Sequence, residues 1–333
     1  MSLKPARILP IIALCAMTVL SACGSGSAKS DLVEGKVNVV TSFYPLYYFA
    51  SEIGGDRANV VNLIPAGVEP HDWTPKSGDI DTTSNAQLFL YNGAGLEGWM
   101  EGFLKGLGSD SKVVTVETSK GIDLIEGNPE EEGHHADEAE PNTGEQHASA
   151  EHDHSGLEVD PHTWVSPRSA MVMAANIFDA YVKADPDHKA EYESRYEDLS
   201  SRLKALDSKF KDGLAGFAKR DIVVSHQAFG YLCRDYKLNQ VAIMGLSPEA
   251  EPRAQDLLQI TQFVKEHDVR YIFFEELVSD QLAETLAAEA KVDTLVLNPV
   301  EGLTPEQEQA GDNYFTLMER NLENLQKALQ CLR

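Results

Sequence analysis

Positive charge, cysteine and long apolar runs are all scarce in this sequence. Only 28 Lys and Arg stand against 53 Asp and Glu, for a formal net charge of -25. A surface this anionic repels phosphate backbones and anionic headgroups, which argues against nucleic acid as a partner and favours cations. Past residue 22 no stretch approaches the ~20 consecutive apolar residues of a membrane-spanning helix, so the body is expected to be soluble. Of four cysteines, Cys15 and Cys23 lie near the start, leaving Cys233 and Cys331. No His-Glu-x-x-His helix is present, so the commonest signature of a zinc hydrolase is missing.

The first 22 residues read as a leader. Lys4 and Arg7 precede an apolar stretch, Ile8 to Leu20, broken only by Pro10 and Thr18. It is too short to span a bilayer and has the pattern of a secretory signal. Leu20-Ser21-Ala22-Cys23 then resembles the bacterial lipoprotein box, whose cysteine is lipidated and becomes the new N-terminus. Losing Lys4 and Arg7 takes the mature charge from -25 to -27. Residues 23–36, rich in glycine and serine, read as a tether between lipid and body. Cys233 and Cys331 then sit in a compartment that permits disulfides; either they pair and pin the C-terminal helix, or they are isolated buried thiols.

The remaining ~310 residues suffice for two domains. Short branched-rich apolar runs alternate with helical sequence: Val37–Thr41, Asn59–Ile64, Gln87–Tyr91 and Lys112–Val116 as strands, with Phe43–Ile53 as the first helix. The alternation restarts at Ile222–Val224, Gln240–Ile243, Tyr271–Phe274 and Thr294–Leu297, and Asp312–Leu332 closes the chain as a helix. This is the signature of parallel sheets with crossover helices. Between the two sets, Pro167–Gly216 is helical, and from Ala190 to Phe217 apolar residues recur at three- and four-residue spacing. A helix of roughly 25 to 30 residues, ~40 Å long, can bridge two domains. The expected class is therefore α/β in two lobes. The N-terminal lobe spans 37–185, the linking helix 186–217 and the C-terminal lobe 218–333.

Residues 130–160 break the pattern, with eleven acidic residues, no Lys or Arg, and His134, His135, His147, His152 and His154. Such a stretch cannot bury a core and reads as a surface loop. His188 and His267 lie among charged residues on helix surfaces, where a solvated face is the expected role. The other three histidines follow strands or rejoin the body: His71 after Ile64-Pro65-Ala66-Gly67-Val68-Glu69-Pro70, His162 in Asp160-Pro161-His162-Thr163-Trp164, and His226 after Ile222-Val223-Val224-Ser225. Ligands of open α/β sheets bind beyond the carboxyl ends of the strands, so these three are expected to meet between the lobes. Imidazole suits zinc, which prefers four tetrahedral ligands. The fourth could be Glu301, with Glu275, Glu276 and Glu69 as rivals that position alone does not separate.

Four segments together resemble the metal-binding lipoproteins of zinc and manganese ABC importers: Glu69-Pro70-His71-Asp72-Trp73, Asp160-Pro161-His162-Thr163-Trp164, Ser225-His226-Gln227-Ala228-Phe229-Gly230-Tyr231-Leu232 and Asn298-Pro299-Val300-Glu301-Gly302-Leu303-Thr304. The resemblance runs from about Val37 to Leu332. It implies two α/β lobes joined by a rigid helix, one metal in the cleft, and His71, His162, His226 and Glu301 as its ligands. Manganese-type members place carboxylates where His226 and Glu301 stand, so histidine at the third position favours zinc. A zinc-binding protein that is not an enzyme, monomeric, anchored through Cys23 to the outer face of the cell membrane and delivering Zn2+ to an ABC permease is what the resemblance implies. The histidine-rich loop is then an auxiliary zinc collector, and acidification near pH ~6 should release metal. The alternatives are a manganese- or iron-binding homologue, a zinc hydrolase with an open coordination position, and a surface adhesin that the metal merely stabilises.

Overall fold

The computed structural model describes residues 32–127, 159–248 and 252–330. The leader, Cys23, the five histidines of the acidic loop and Cys331 lie outside the described residues. Two four-stranded, wholly parallel sheets carry the rest. The first contains β1 (Val37–Thr41), β2 (Ala58–Asn62), β3 (Leu88–Tyr91) and β4 (Val114–Glu117) in the order β2-β1-β3-β4. The second contains β5 (Asp221–Val224), β6 (Asn239–Ala242), β7 (Tyr271–Phe274) and β8 (Asp293–Val296) in the matching order β6-β5-β7-β8. Parallel neighbours require crossovers, and helices on both faces explain why β1 is buried along its whole length.

In lobe one the crossovers carry α1 (Tyr44–Gly54), α2 (Ser77–Ser84) and α3 (Met100–Gly106). The apolar run suggests a strand continuing to Ile64, but the ladder stops at Asn62. Asn62 turns its side-chain amide onto the Ile64 carbonyl at 2.6 Å, and Pro65 has no N–H to continue it.

The helical stretch from Pro167 is two helices, α4 (Pro167–Ala184) and α5 (Lys189–Leu214), and the second is the linking helix expected from 186. Pro186 forces the break, because the residue before a proline avoids helical geometry; Asp185 sits at φ -143, ψ 76. The Asp185 carboxylate then accepts hydrogen bonds from Tyr192 Oη and His188 Nδ1, both at 2.7 Å, which sets the corner. At 26 residues α5 is about 39 Å long. Its stripe Tyr192, Leu199, Leu203, Leu206, Phe210 and Leu214 is buried. It packs on α1 and α4 of the first lobe and on α6 (Gly230–Tyr236) and α10 (Tyr314–Leu329) of the second.

Lobe two is completed by α7 (Ala254–Glu266), α8 (Gln281–Ala290) and α9 (Pro305–Ala310). Each lobe has a private core, Val40, Phe89 and Phe103 in the first and Val223, Ile260, Ile272 and Leu286 in the second. A third and larger cluster runs without interruption from α1 through α4 and α5 to α10. The lobes thus share one central core around α5. Cys233, on α6, is a buried thiol whose burial pushes its pKa up.

Candidate metal centre

The carboxyl ends of both sheets face one cleft, and four side chains converge there. His71 lies in the loop after β2. Gly67, at φ +80 where a side chain would be strained, lets that loop turn, and its N–H donates to the Leu303 carbonyl of the other lobe at 2.8 Å. The Asp72 N–H closes a tight turn on the Glu69 carboxyl at 3.0 Å. His162 follows the pairing of Glu126 with Val159 at the base of the acidic loop. Asn92, at the end of β3, fixes its neighbours by donating to the Pro161 carbonyl at 2.8 Å and accepting from Thr163 Oγ1 at 2.9 Å. Sequence order assigned His162 to lobe one, yet lobe two holds it as well, since Trp164 Nε1 donates to the Pro299 carbonyl at 2.7 Å.

His226 begins the turn after β5. Glu301 follows β8 through Asn298-Pro299-Val300, and Val300 has φ +60, an uncommon conformation for a branched residue. Two contacts hold it there: the Val300 N–H donates to Asn298 Oδ1 at 2.6 Å, and Asn298 is in turn clasped by Asn321 of α10. The twist delivers the Glu301 carboxyl into the cleft.

His162 Nε2 lies 3.1 Å from His71 Nε2 and 3.2 Å from His226 Nε2. Glu301 Oε1 is 3.4 Å from His162 Nε2, 3.7 Å from His226 Nε2 and 3.8 Å from His71 Nε2. All four atoms lie within 4.8 Å of one another. Zinc–ligand bonds of ~2.0–2.2 Å at tetrahedral angles separate ligand atoms by about 3.3–3.6 Å. These five edges, from 3.1 to 3.8 Å, bracket that range. Glu301 Oε1 is buried and accepts no hydrogen bond from the described residues, which fits an oxygen reserved for a cation.

Two of the three imidazoles are oriented from behind. His162 Nδ1 donates to Asp160 Oδ1 at 2.8 Å, and His226 Nδ1 to Glu275 Oε1 at 2.7 Å. A proton on each Nδ1 leaves Nε2 with its lone pair toward the centre, the arrangement that raises ligand basicity in zinc sites. Asp160 was not singled out by sequence reasoning, although its place two residues before His162 was visible. Glu275, weighed as a ligand, lies behind His226 because β7 is the neighbour of β5. Glu276 is occupied by Asn298 and Gln307. Glu69 lies beside Glu301 but outside the converging set of four.

The electrostatics follow from burial and proximity. Burial pulls His71 below the ordinary imidazole range. It acts the same way on His162, but the Asp160 and Glu301 carboxylates outweigh it and hold that imidazole up at about 10. Burial would raise Glu301, yet the adjacent His162, His71 and His226 imidazoles keep it well below the usual carboxylate range. Burial and the adjacent Glu301 charge push Glu69 up to about 9. Away from the cleft, His188 bonds Asp185, and His267 bonds Asp221 while stacking on Phe263. Neither lies near the centre.

A family model described as ZnuA, the periplasmic component A of a zinc-uptake complex, matches residues 39–328. The high-affinity zinc uptake system protein ZnuA of Bacillus subtilis is 40% identical over 321 residues, covering 96% of each chain. The zinc-binding lipoprotein AdcA of Streptococcus pneumoniae is also 40% identical, over 96% of this chain but only 60% of that longer protein. The zinc-bound ZnuA-like domain of S. pneumoniae AdcA superposes with a TM-score of 0.72 at 37% identity, over 89% of this chain and 99% of that domain.

Proposed function

The chain belongs to the ZnuA family of zinc-uptake components, and from that premise we propose that it captures Zn2+ outside the cytoplasm through His71, His162, His226 and Glu301 and delivers it to an ABC permease. The observation that carries the assignment of the ligands is the set of distances among the four Nε2 and Oε1 atoms. Three nitrogens and one oxygen gathered within 4.8 Å of one another suit zinc better than manganese or magnesium, which take oxygen-rich octahedral shells. The fourth position is filled by a protein carboxylate. A hydrolytic zinc site leaves that position to water, so this arrangement supports holding and transfer rather than catalysis.

Delivery requires that the metal leave. Sharing one core around α5 opposes a wide hinge opening between the lobes, so release is assigned to local rearrangement at the cleft when the permease docks. No helix of the described residues is long and apolar enough to cross a membrane. Attachment through lipid on Cys23 is part of the proposal, as are the monomeric state and an auxiliary zinc-collecting role for His134, His135, His147, His152 and His154.

Metal analysis of the mature protein with competitive titration by Zn2+ and Mn2+ tests the reading. Zinc should win by orders of magnitude, and His71→Ala or His226→Ala should remove most of that affinity with the fold intact. Equal affinity for the two ions, or a mutant that binds like the parent, defeats the ligand assignment. Cys23→Ala should release the protein from the membrane fraction or leave it unprocessed.

A further inference from the structure

We propose that the Gly230-Tyr231 step at the start of α6 is a positioning device for His162, acting through Asp160 across the lobe boundary. This rests on the reading of His162 as a zinc ligand. Gly230 and Tyr231 lie in the Ser225–Leu232 segment, which supplies His226 to the metal centre.

Asp160 holds His162 by two bonds to one oxygen: Oδ1 accepts from the His162 N–H at 2.9 Å and from Nδ1 at 2.8 Å. The carboxyl is 1% exposed, so it has no free space to turn into. Its second oxygen, Oδ2, faces Gly230. A Cβ at residue 230 would lie 2.3 Å from Oδ2 and 3.4 Å from Ile125 Cδ1. Contact at that distance is impossible. Turning the carboxyl away would break the bond to Nδ1 that points Nε2 at the centre. Gly230 has an ordinary negative φ, so backbone conformation does not demand glycine here; the space does.

Tyr231 holds the same residue by its main chain. Tyr231 Oη donates to the Asp160 carbonyl at 2.7 Å and accepts from the Ile125 N–H at 3.2 Å, while the Asp160 N–H donates to the Ile125 carbonyl at 2.9 Å. One buried phenol therefore ties together the two strands at the base of the acidic loop. Gly230 makes room for the Asp160 side chain, and Tyr231 fixes its backbone. Both belong to lobe two, whereas Asp160 is reached from lobe one.

The test is a double-mutant cycle on the full mature chain, with zinc affinity read by chelator competition and the Co2+-substituted protein read by its visible ligand-field spectrum. Removing a group that orients a ligand costs metal affinity about 10- to 100-fold, and Gly230→Ala should fall in that range with a perturbed cobalt spectrum. Asp160→Ala should cost a similar factor. In the Asp160→Ala background, Gly230→Ala should change affinity less than about twofold, because the atom it displaces is gone. Tyr231→Phe should weaken binding less than Gly230→Ala. Parent-like affinity for Gly230→Ala, or equal losses in both backgrounds, overturns the proposal. If Gly230→Ala alone does not fold, recovery of folding in Asp160→Ala/Gly230→Ala supports the crowding, and its failure to recover refutes it. A parent protein that ignores zinc, or a His162→Ala variant that binds it normally, would instead defeat the functional reading on which this stands.

Discussion

Lowering the pH from 8 to 6 should weaken zinc binding about a hundredfold through His162 alone. Zinc binds the neutral imidazole, and in the metal-free protein the Asp160 and Glu301 carboxylates hold the His162 proton on up to about 10. The sign follows directly. Below that value zinc must displace one proton, so apparent affinity is undiminished above about 10 and falls tenfold for each unit of pH below it. His71, which burial keeps neutral to lower pH, adds its own loss only under acid conditions. Glu301 is already ionised and adds nothing. Glu69, protonated up to about 9 by burial and by the Glu301 charge, can lose its proton when a dication arrives beside it, which steepens the fall. The onset therefore lies far above the pH ~6 expected for free imidazoles. Calorimetry in buffers of different ionisation enthalpy at pH 7.5 should count between one and two protons released per zinc, and Glu69→Gln should remove the excess over one. An affinity that stays flat between pH 6.5 and 8.5, or binding without proton release, would falsify this account.

Three further outcomes are expected. Glu275→Gln keeps the size of the side chain that His226 Nδ1 leans on but weakens its acceptor, and should lower zinc affinity about 10-fold in the same competition assay. Leu203→Ala, on the buried stripe of α5, should destabilise the metal-free protein by about 2–5 kcal/mol in urea denaturation. Its effect on the zinc affinity of the folded fraction should be small, since α5 carries no ligand. Asn92→Ala removes both contacts that fix Pro161 and Thr163 around His162, and should cost zinc affinity as well as about 1–3 kcal/mol of stability; a loss confined to stability would show that Asn92 supports the fold and not the centre.

The fold was legible because its signals are local. Runs such as Val37–Thr41 and Tyr271–Phe274 can be read as buried parallel strands without knowing their neighbours, and both stand with the expected bounds. The stripe of α5 declared a long helix by its spacing alone. Differences fall at edges decided by single residues, as where Asn62 and Pro65 stop β2 and where a short turn from Pro186 delays the start of α5 to Lys189.

Residue type and position picked out His71, His162 and His226, and the resemblance to the metal-binding lipoproteins of zinc importers added Glu301 as the fourth. Charge balance, too, was a property of the chain alone, and it pointed to a cation. What sequence could not do was give each carboxyl its role. Glu69, Glu275, Glu276 and Glu301 all follow strands, and only sheet order and loop geometry separate them. Because β7 lies against β5, Glu275 stands behind His226, while the turn through Val300 carries Glu301 into the cleft. Nor could it reveal that Asp160, reached from one lobe, is shaped by Gly230 and Tyr231 of the other. Those relations are between atoms distant along the chain, and they exist only once both sheets have closed on the same core.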